Sequence, residues 1–253
     1  KQSKWWIVDY KINEEHNEDW FFDRLNFLIL DSIQLQTRSD VSLGAYLSGG
    51  LDSSLISVLA SNYLNTTIPC FHGKFDQYKD YDESEFANQV INSSNLALNE
   101  VSPSPEDFIN EISDIIRFLD EPLAGPGVFP QYIVSKLASK EVKVVLGGQG
   151  GDELFCGYTK YQLAYFEQAL KGAINETQEE GKHLVTLDSI IPNLPGLKKY
   201  IPLMKKFIKK DFLGPMNQRY FHLISRSKFD TETFNNDFLK NFDYEKQFEK
   251  FNN

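Results

Sequence analysis

Two short stretches of the chain combine glycines with carboxylates in a way that suits anion chemistry. They are Ser48-Gly49-Gly50-Leu51-Asp52-Ser53 and Gly147-Gly148-Gln149-Gly150-Gly151-Asp152-Glu153. In the first, the glycines let the backbone approach a bulky anion closely, and Ser48, Ser53 and Ser54 supply hydroxyl donors. A helix starting directly after them would add unpaired backbone N–H groups and the positive end of a helix dipole, a setting that suits a phosphate. Asp52 is repelled by such an anion unless a cation stands between them, so its presence argues for a bridging Mg²⁺. The second stretch again places acids just past glycines, which makes Asp52 and Asp152 candidates to share one metal ion. Either loop alone is better read as a tight strand-to-helix turn; two of them, each with an acid at a helix start, favour a site.

Other site chemistries fit less well. No Lys follows the first glycines, so the Walker pattern fails, and the third glycine of a dinucleotide fingerprint is missing. His16, His72, His183 and His222 are scattered without ligand spacing, so surface or core roles suit them better than zinc. Ser48 lacks the G-x-S-x-G frame of a hydrolase nucleophile.

The elements that must position these loops follow an α/β pattern. Leu43 to Leu47 is a candidate strand running into the first loop, and Leu55, Ile56, Leu59, Ala60 and Tyr63 then recur on one helical face. A second strand is expected over Ile68 to Phe75, a helix around Phe86, Val90 and Ile91, and a short third strand over Ala97 to Val101. Ser104, Pro105 and Asp107 spell a capped helix start, followed by the apolar stripe Phe108, Ile112, Ile115, Ile116 and Leu119. The Asp120 to Gly127 stretch is a loop, Phe129 to Ser139 another helix, and Val142 to Leu146 a strand that stops at the second glycine cluster. In a parallel sheet of this kind both loops lie at the carboxyl edge, where ligands bind at a switch point.

Beyond about Lys160 strand-like runs disappear. Aromatic residues recur at helical spacing in Tyr161, Tyr165 and Phe166, and later in Tyr244, Phe248 and Phe251, so this part is expected to be helical. Lysines at 198–199, 205–206 and 209–210 stand among Ile201, Leu203, Met204, Phe207 and Ile208. A solvated lysine face over a packed apolar face is the commoner reading of that pattern than a membrane-surface helix. Glu176 to Glu180 reads as an exposed turn.

Composition narrows the partners. The 253 residues are 41% hydrophobic and 25% charged, as in a soluble globular protein, and 26 basic against 36 acidic residues leave a net charge of −10. Nucleic acid is therefore a poor partner, and no apolar run is long enough for a bilayer span. The chain reads as cytoplasmic. Cys70 and Cys156 are too few for a disulfide scaffold and are expected to be two buried thiols.

Tyr46-Leu47-Ser48-Gly49-Gly50-Leu51-Asp52-Ser53-Ser54 resembles the pyrophosphate loop of the ATP pyrophosphatases. Gly150-Gly151-Asp152-Glu153-Leu154-Phe155-Cys156-Gly157-Tyr158 resembles the G-G-D-E-L-F-x-G-Y segment of asparagine synthetases, and Arg38-Ser39-Asp40-Val41 the stretch before their first loop. The resemblance covers roughly residues 5–160. It implies a parallel sheet flanked by helices, of the adenine nucleotide alpha hydrolase-like kind, followed by a helical C-terminal region. Residues 1–40 would be a linker and first helix leading from an absent glutaminase domain, 41–160 the nucleotide-binding core, and 161–253 a truncated helical region. It further implies that aspartate attacks the α-phosphorus of ATP to give β-aspartyl-AMP and pyrophosphate, after which ammonia expels AMP.

Under the same resemblance Leu47, Ser48, Gly49, Gly50, Leu51, Asp52, Ser53, Gly73, Gly147 and Gly148 would bind ATP and its pyrophosphate. Asp52 and Asp152 would hold Mg²⁺, and Asp52, Asp152 and Glu153 would be the catalytic carboxylates. The partners implied are ATP, aspartate, ammonia and a glutaminase domain in the parent protein, with a homodimer compatible. Gln149 stands where the family commonly has Asp or Glu, and the family's later E-x-R-x-P-F-x-D segment has no match before Asn253. Relatives that amidate or cyclise another carboxylate, such as β-lactam synthetases, share both loops. A tRNA-modifying pyrophosphatase and a binding-only domain are the remaining alternatives.

Overall fold

A computed structural model describes residues 3, 5, 15–79, 81–120, 125–175, 191–209, 211–224, 235, 237 and 244–252. The chain divides into two compact units, Lys1–Gln149 and Gly150–Asn253.

The first unit is a parallel sheet with helices on both faces. In chain order it holds α1 (Glu18–Gln36), β1 (Leu43–Tyr46), α2 (Leu51–Leu64), β2 (Ile68–Gly73), α3 (Ser84–Asn92), β3 (Leu96–Val101), α4 (Pro105–Phe118), α5 (Val128–Ala138) and β4 (Val144–Leu146). The strand order is β3-β2-β1-β4, and every pairing is parallel. The chain steps outward from β1 through β2 to β3, then returns to lay β4 on the other side of β1, pairing Leu43 with Val144 and Ala45 with Leu146. That reversal is a switch point of the kind at which open α/β sheets bind ligands.

Two apolar layers hold the sheet. One joins Ala45, Leu47, Ile68, Cys70, Leu96 and Leu146 to Ile33 of α1, Ala60 of α2 and Ala87 of α3. The other joins Phe71 to Val134 and Ala138 of α5 and to Val142. Tyr46 and Ser135 share a 2.8 Å hydrogen bond that fastens α5 to β1.

On α2 the expected stripe packs on the core through Ile56, Leu59 and Ala60, while Leu55 and Tyr63 are exposed. Ser57 and Ser61 are buried beside them and their hydroxyls are satisfied: Ser57 donates to the Ser53 carbonyl at 2.7 Å, Ser61 to the carbonyls of Thr66 and Asn95 at 2.8 and 2.7 Å. On α4 the stripe is only partly covered, with Ile115 buried but Phe108 and Ile116 nearly half exposed. Its start matches the sequence, since Ser104 and Asp107 form a reciprocal capping box with Pro105 in the first turn. β2 ends at Gly73 rather than Phe75, because the Lys74 N–H turns to the Val101 carbonyl and a turn follows. β4 begins at Val144 rather than Val142, which is buried against α5.

The second unit is helical among its described residues: α6 (Gly151–Leu154), α7 (Thr159–Asn175), a 3₁₀ helix (Ile191–Tyr200), α8 (Ile201–Ile208), α9 (Met216–Ile224) and α10 (Tyr244–Asn252). Leu163, Leu197, Phe207 and Leu223 form its core, with Leu203 and Met204 packed against them. The lysine-rich segment thus turns its apolar side inward and leaves Lys205 and Lys206 exposed. Inside this unit Arg219 and Glu167, each about 2% exposed or less, form an ion pair; Arg219 Nε donates to Glu167 Oε1 at 2.7 Å, and the Leu213 N–H donates to the same oxygen at 2.8 Å. The guanidinium lies 4.3 Å from the Phe207 ring centre. Among the described residues no helix is long and apolar enough to cross a membrane. The Asp120 to Gly127 loop falls partly, and the Glu176 to Glu180 turn wholly, outside the described residues, as does His183.

Candidate active site

The first loop sits where β1 ends and α2 begins. Gly49 takes φ +89°, and a Cβ there would stand 2.5 Å from the Ala87 nitrogen and 2.7 Å from Phe86 Cβ. Both its backbone conformation and its close approach to α3 therefore require glycine. Gly50 caps α2 without any side-chain bond, so no side chain occupies the first turn's donors. The serines tie the loop together: Ser48 and Ser53 hydroxyls lie 3.0 Å apart, the Gly50 N–H donates to Ser48 Oγ at 3.1 Å, and Ser54 donates to the Gly50 carbonyl at 2.7 Å. Leu51 points to solvent, 84% exposed, and Asp52 is half-buried in the first turn of α2.

The β1–β4 pairing brings the Gly147-Gly148 turn against that loop. A Cβ on Gly148 would lie 2.7 Å from the Ser53 nitrogen and 2.8 Å from Asp52 Cβ, so the two backbones touch at a point where only glycine fits. Gly147 is covered by the side chain of Gln149, whose Oε1 would meet a Cβ there at 2.1 Å.

Beside the loop, a cavity of about 200 Å³ opens between the carboxyl ends of β1 and β2 and helix α5. Leu47, Ser48, His72, Gly73, Tyr81 and Gln131 are among its walls. The Leu47 side chain is buried, its N–H donates to the Phe71 carbonyl at 3.0 Å, and its carbonyl accepts from His72 Nδ1 at 2.8 Å. His72 Nε2 lies 2.9 Å from Ser84 Oγ, and Ser84 donates to Asp82 Oδ1 at 2.6 Å. This ladder went unseen in the sequence, where His72 carried no spacing signal.

Asp152 and Glu153 belong to the second unit, exposed in the first turn of α6 after Gly150, which adopts φ +97°. The Asp152 carboxylate leans over Gly157, where a Cβ would meet Oδ1 at 1.9 Å. Tyr158 donates to Glu153 Oε1 at 2.7 Å; this bond holds the Glu153 carboxyl below its ordinary range and pushes the Tyr158 phenol up to about 12. Lys160 Nζ lies 4.7 Å from the Tyr158 ring centre. Cys156, expected to be buried, is exposed with φ +59°, because it stands in the tight turn that brings Gly157 under Asp152, while Cys70 is buried as expected.

Among the described residues no three His, Cys, Asp or Glu side chains converge on a ready-made metal cage. Mg²⁺ in phosphate sites takes one or two carboxylates and completes its shell with phosphate oxygens and water. Asp52, half-buried on the first turn of α2 beside the glycine loop, would suit such a shell.

A family model described as asparagine synthase matches residues 24–238. An asparagine synthetase [glutamine-hydrolyzing] 1 of Bacillus subtilis is 37% identical over 147 residues, which is 57% of this chain and 23% of the relative. Asparagine synthetase B [glutamine-hydrolyzing] of Escherichia coli is 27% identical over 183 residues, 63% of this chain and 33% of that protein. The chain thus spans a third or less of the length of these curated relatives. Among solved structures, an NH3-dependent NAD synthetase from Campylobacter jejuni is similar with a TM-score of 0.40 and 15% identity, over 79% of this chain and 96% of that one.

Proposed function

The chain belongs to the asparagine synthase family, and from that premise we propose that it is the synthetase core of a glutamine-hydrolysing asparagine synthetase acting in the cytoplasm. In the proposed reaction an oxygen of the aspartate side-chain carboxylate attacks the α-phosphorus of ATP. The bond from that phosphorus to the bridging oxygen breaks, and pyrophosphate leaves β-aspartyl-AMP behind. Ammonia, supplied by a glutaminase domain of the parent protein, then adds to the acyl carbon, loses a proton and expels AMP, leaving asparagine.

The observation that carries this reading is the contact of the two glycine turns at the β1/β4 switch point, with Gly148 against Asp52 and Ser53. A triphosphate laid there would meet the first-turn N–H groups of α2, which no side chain caps, aimed at charge that grows on the leaving pyrophosphate. Glycine at 148 lets the second turn rest on Asp52 and Ser53, and the neighbouring cavity lined by Leu47 and Gly73 would take the nucleoside. Asp52 and Asp152 are the proposed Mg²⁺ ligands; bound there, the ion would neutralise charge on the phosphates. Glu153, held by Tyr158, is proposed to act with these carboxylates in catalysis.

Titration of the chain with ATP in the presence and absence of Mg²⁺ tests the binding part. Mg²⁺-dependent ATP binding that disappears in Asp52→Ala is expected, and an unchanged Mg²⁺-dependent affinity in that variant would count against the site. For the chemistry, the parent protein with ATP, ammonia and aspartate should release AMP and pyrophosphate; release that ignores aspartate would sink the choice of acid.

A further inference from the structure

The Ser48–Ser54 loop contains no lysine, arginine or histidine, although the anion proposed for it is highly charged. The hydrogen-bond inventory around His72 places a positive charge beside the strand end that enters the loop. The Leu47 carbonyl can only accept, so the 2.8 Å contact requires a proton on His72 Nδ1. Ser84 has a single hydroxyl proton, and at 2.6 Å it is given to Asp82 Oδ1, a carboxylate that also only accepts. The remaining contact, His72 Nε2 to Ser84 Oγ at 2.9 Å, is then satisfied only if Nε2 donates as well. A ring that donates from both nitrogens is an imidazolium.

The surroundings suit that cation. His72 is 3% exposed, and a charge so placed needs a partner; Asp82 answers it one hydroxyl away and also accepts the backbone N–H groups of Phe75 and Ser84. The Asp82 carboxyl is held below its ordinary range, first by the Ser84 hydroxyl. Other ionisable groups near the ring do not replace it. Glu100 is its register partner on β3, Glu83 adjoins it on the cavity wall, and Lys74 is paired with Asp76 at 2.9 Å. The Cys70 thiol is pushed up by burial to about 11 and stays neutral.

The ring also has a mechanical position. Leu47 is the residue that feeds the glycine loop, and Ser84 is the first residue of α3, the helix whose Phe86 and Ala87 lie directly under Gly49. One side chain therefore joins the strand end that enters the loop to the helix on which the loop rests.

We propose that His72 is a positioning residue for the nucleotide, an imidazolium that pins the loop to α3 through the Leu47 carbonyl and Ser84, with Asp82 as its counter-ion. The inference rests on the nucleotide reading of the loop for its ligand, but the protonation of the ring does not. Loss of the Nε2 proton would remove the donor to Ser84 and break the pin.

Two measurements on the full 253-residue chain test it. In ¹⁵N-histidine-labelled protein without nucleotide, His72, assigned by through-bond correlation, should show protons on both ring nitrogens near neutral pH. A neutral ring protonated at Nδ1 alone would overturn the proposal. In ATP titrations with Mg²⁺, Ser84→Ala and His72→Gln should each weaken binding roughly tenfold, the scale of one charge-assisted hydrogen bond. Unchanged affinity in both variants rejects the pin. If the parent binds no ATP at all, the nucleotide reading fails on its own, and the two ring protons still decide whether the His72–Ser84–Asp82 relay exists.

Discussion

The interior of the first unit is an apolar parallel sheet whose strands are aligned by backbone pairing. The interior of the second unit has no strand among its described residues and adds to its apolar core a full charge pair, Arg219 and Glu167, against Phe207. In the first unit the ladder fixes position, and glycine at 148 lets two turns touch. In the second, helices that could slide past one another are held by directional bonds from one carboxylate to Arg219 and to the Leu213 N–H. Position is thus set by backbone in one unit and by side-chain charge in the other.

That contrast is broken most severely at Arg219. Arg219→Met should destabilise the second unit by about 3–5 kcal/mol, because it leaves Glu167 charged and buried without its partner, and adding Glu167→Leu should restore most of the loss. Circular dichroism followed in denaturant is the readout.

The matching test of the first unit uses a single methyl group. Gly49→Ala places a Cβ 2.5 Å from the Ala87 nitrogen at φ +89°, where left-handed backbone costs roughly 1–2 kcal/mol before any clash. Gly148→Ala forces the second turn off Ser53. Both should weaken ATP binding by about tenfold or more while the helical signal of the second unit is unchanged; unaltered binding in both would show that the contact of the two turns is not needed.

A smaller effect is expected at Ser104→Ala, about 1 kcal/mol in thermal or chemical unfolding, because it removes the hydroxyl of the α4 capping box. The same box gives a pH dependence of known sign. Hydrogen bonds from the Ser104 hydroxyl and backbone hold the Asp107 carboxyl below its ordinary range, so this stabilisation is present above the unfolded carboxyl's pKa and is lost as pH falls through the folded one. Ser104→Ala should flatten that acid limb.

How much of this was legible in the sequence depends on the separation of the residues involved. The capping box lies within four consecutive residues, and both glycine loops are contiguous, so residue type and spacing identified them directly. Apolar periodicity locates Ile56, Leu59 and Ala60 on the packed face of α2 but also favours Leu55 and Tyr63, which are exposed, and it gives no sign that Ser57 and Ser61 are buried. Cys156 was assigned to the interior from the general habit of cysteine, but the turn at Gly157 carries it to the surface. The His72–Ser84–Asp82 relay and the Arg219–Glu167 pair join different elements, and neither leaves a local pattern.

The sequence by itself determined most of the elements and the two glycine turns, because helix caps, strand runs and glycine turns are decided by neighbours along the chain. Only the tertiary structure decided that β4 returns beside β1, which brings Gly148 onto Asp52 and Ser53, and that His72 stands between the loop and α3. Strand order and buried polar partners are chosen by which distant surfaces pack together, and that choice leaves no mark in the spacing of neighbouring residues.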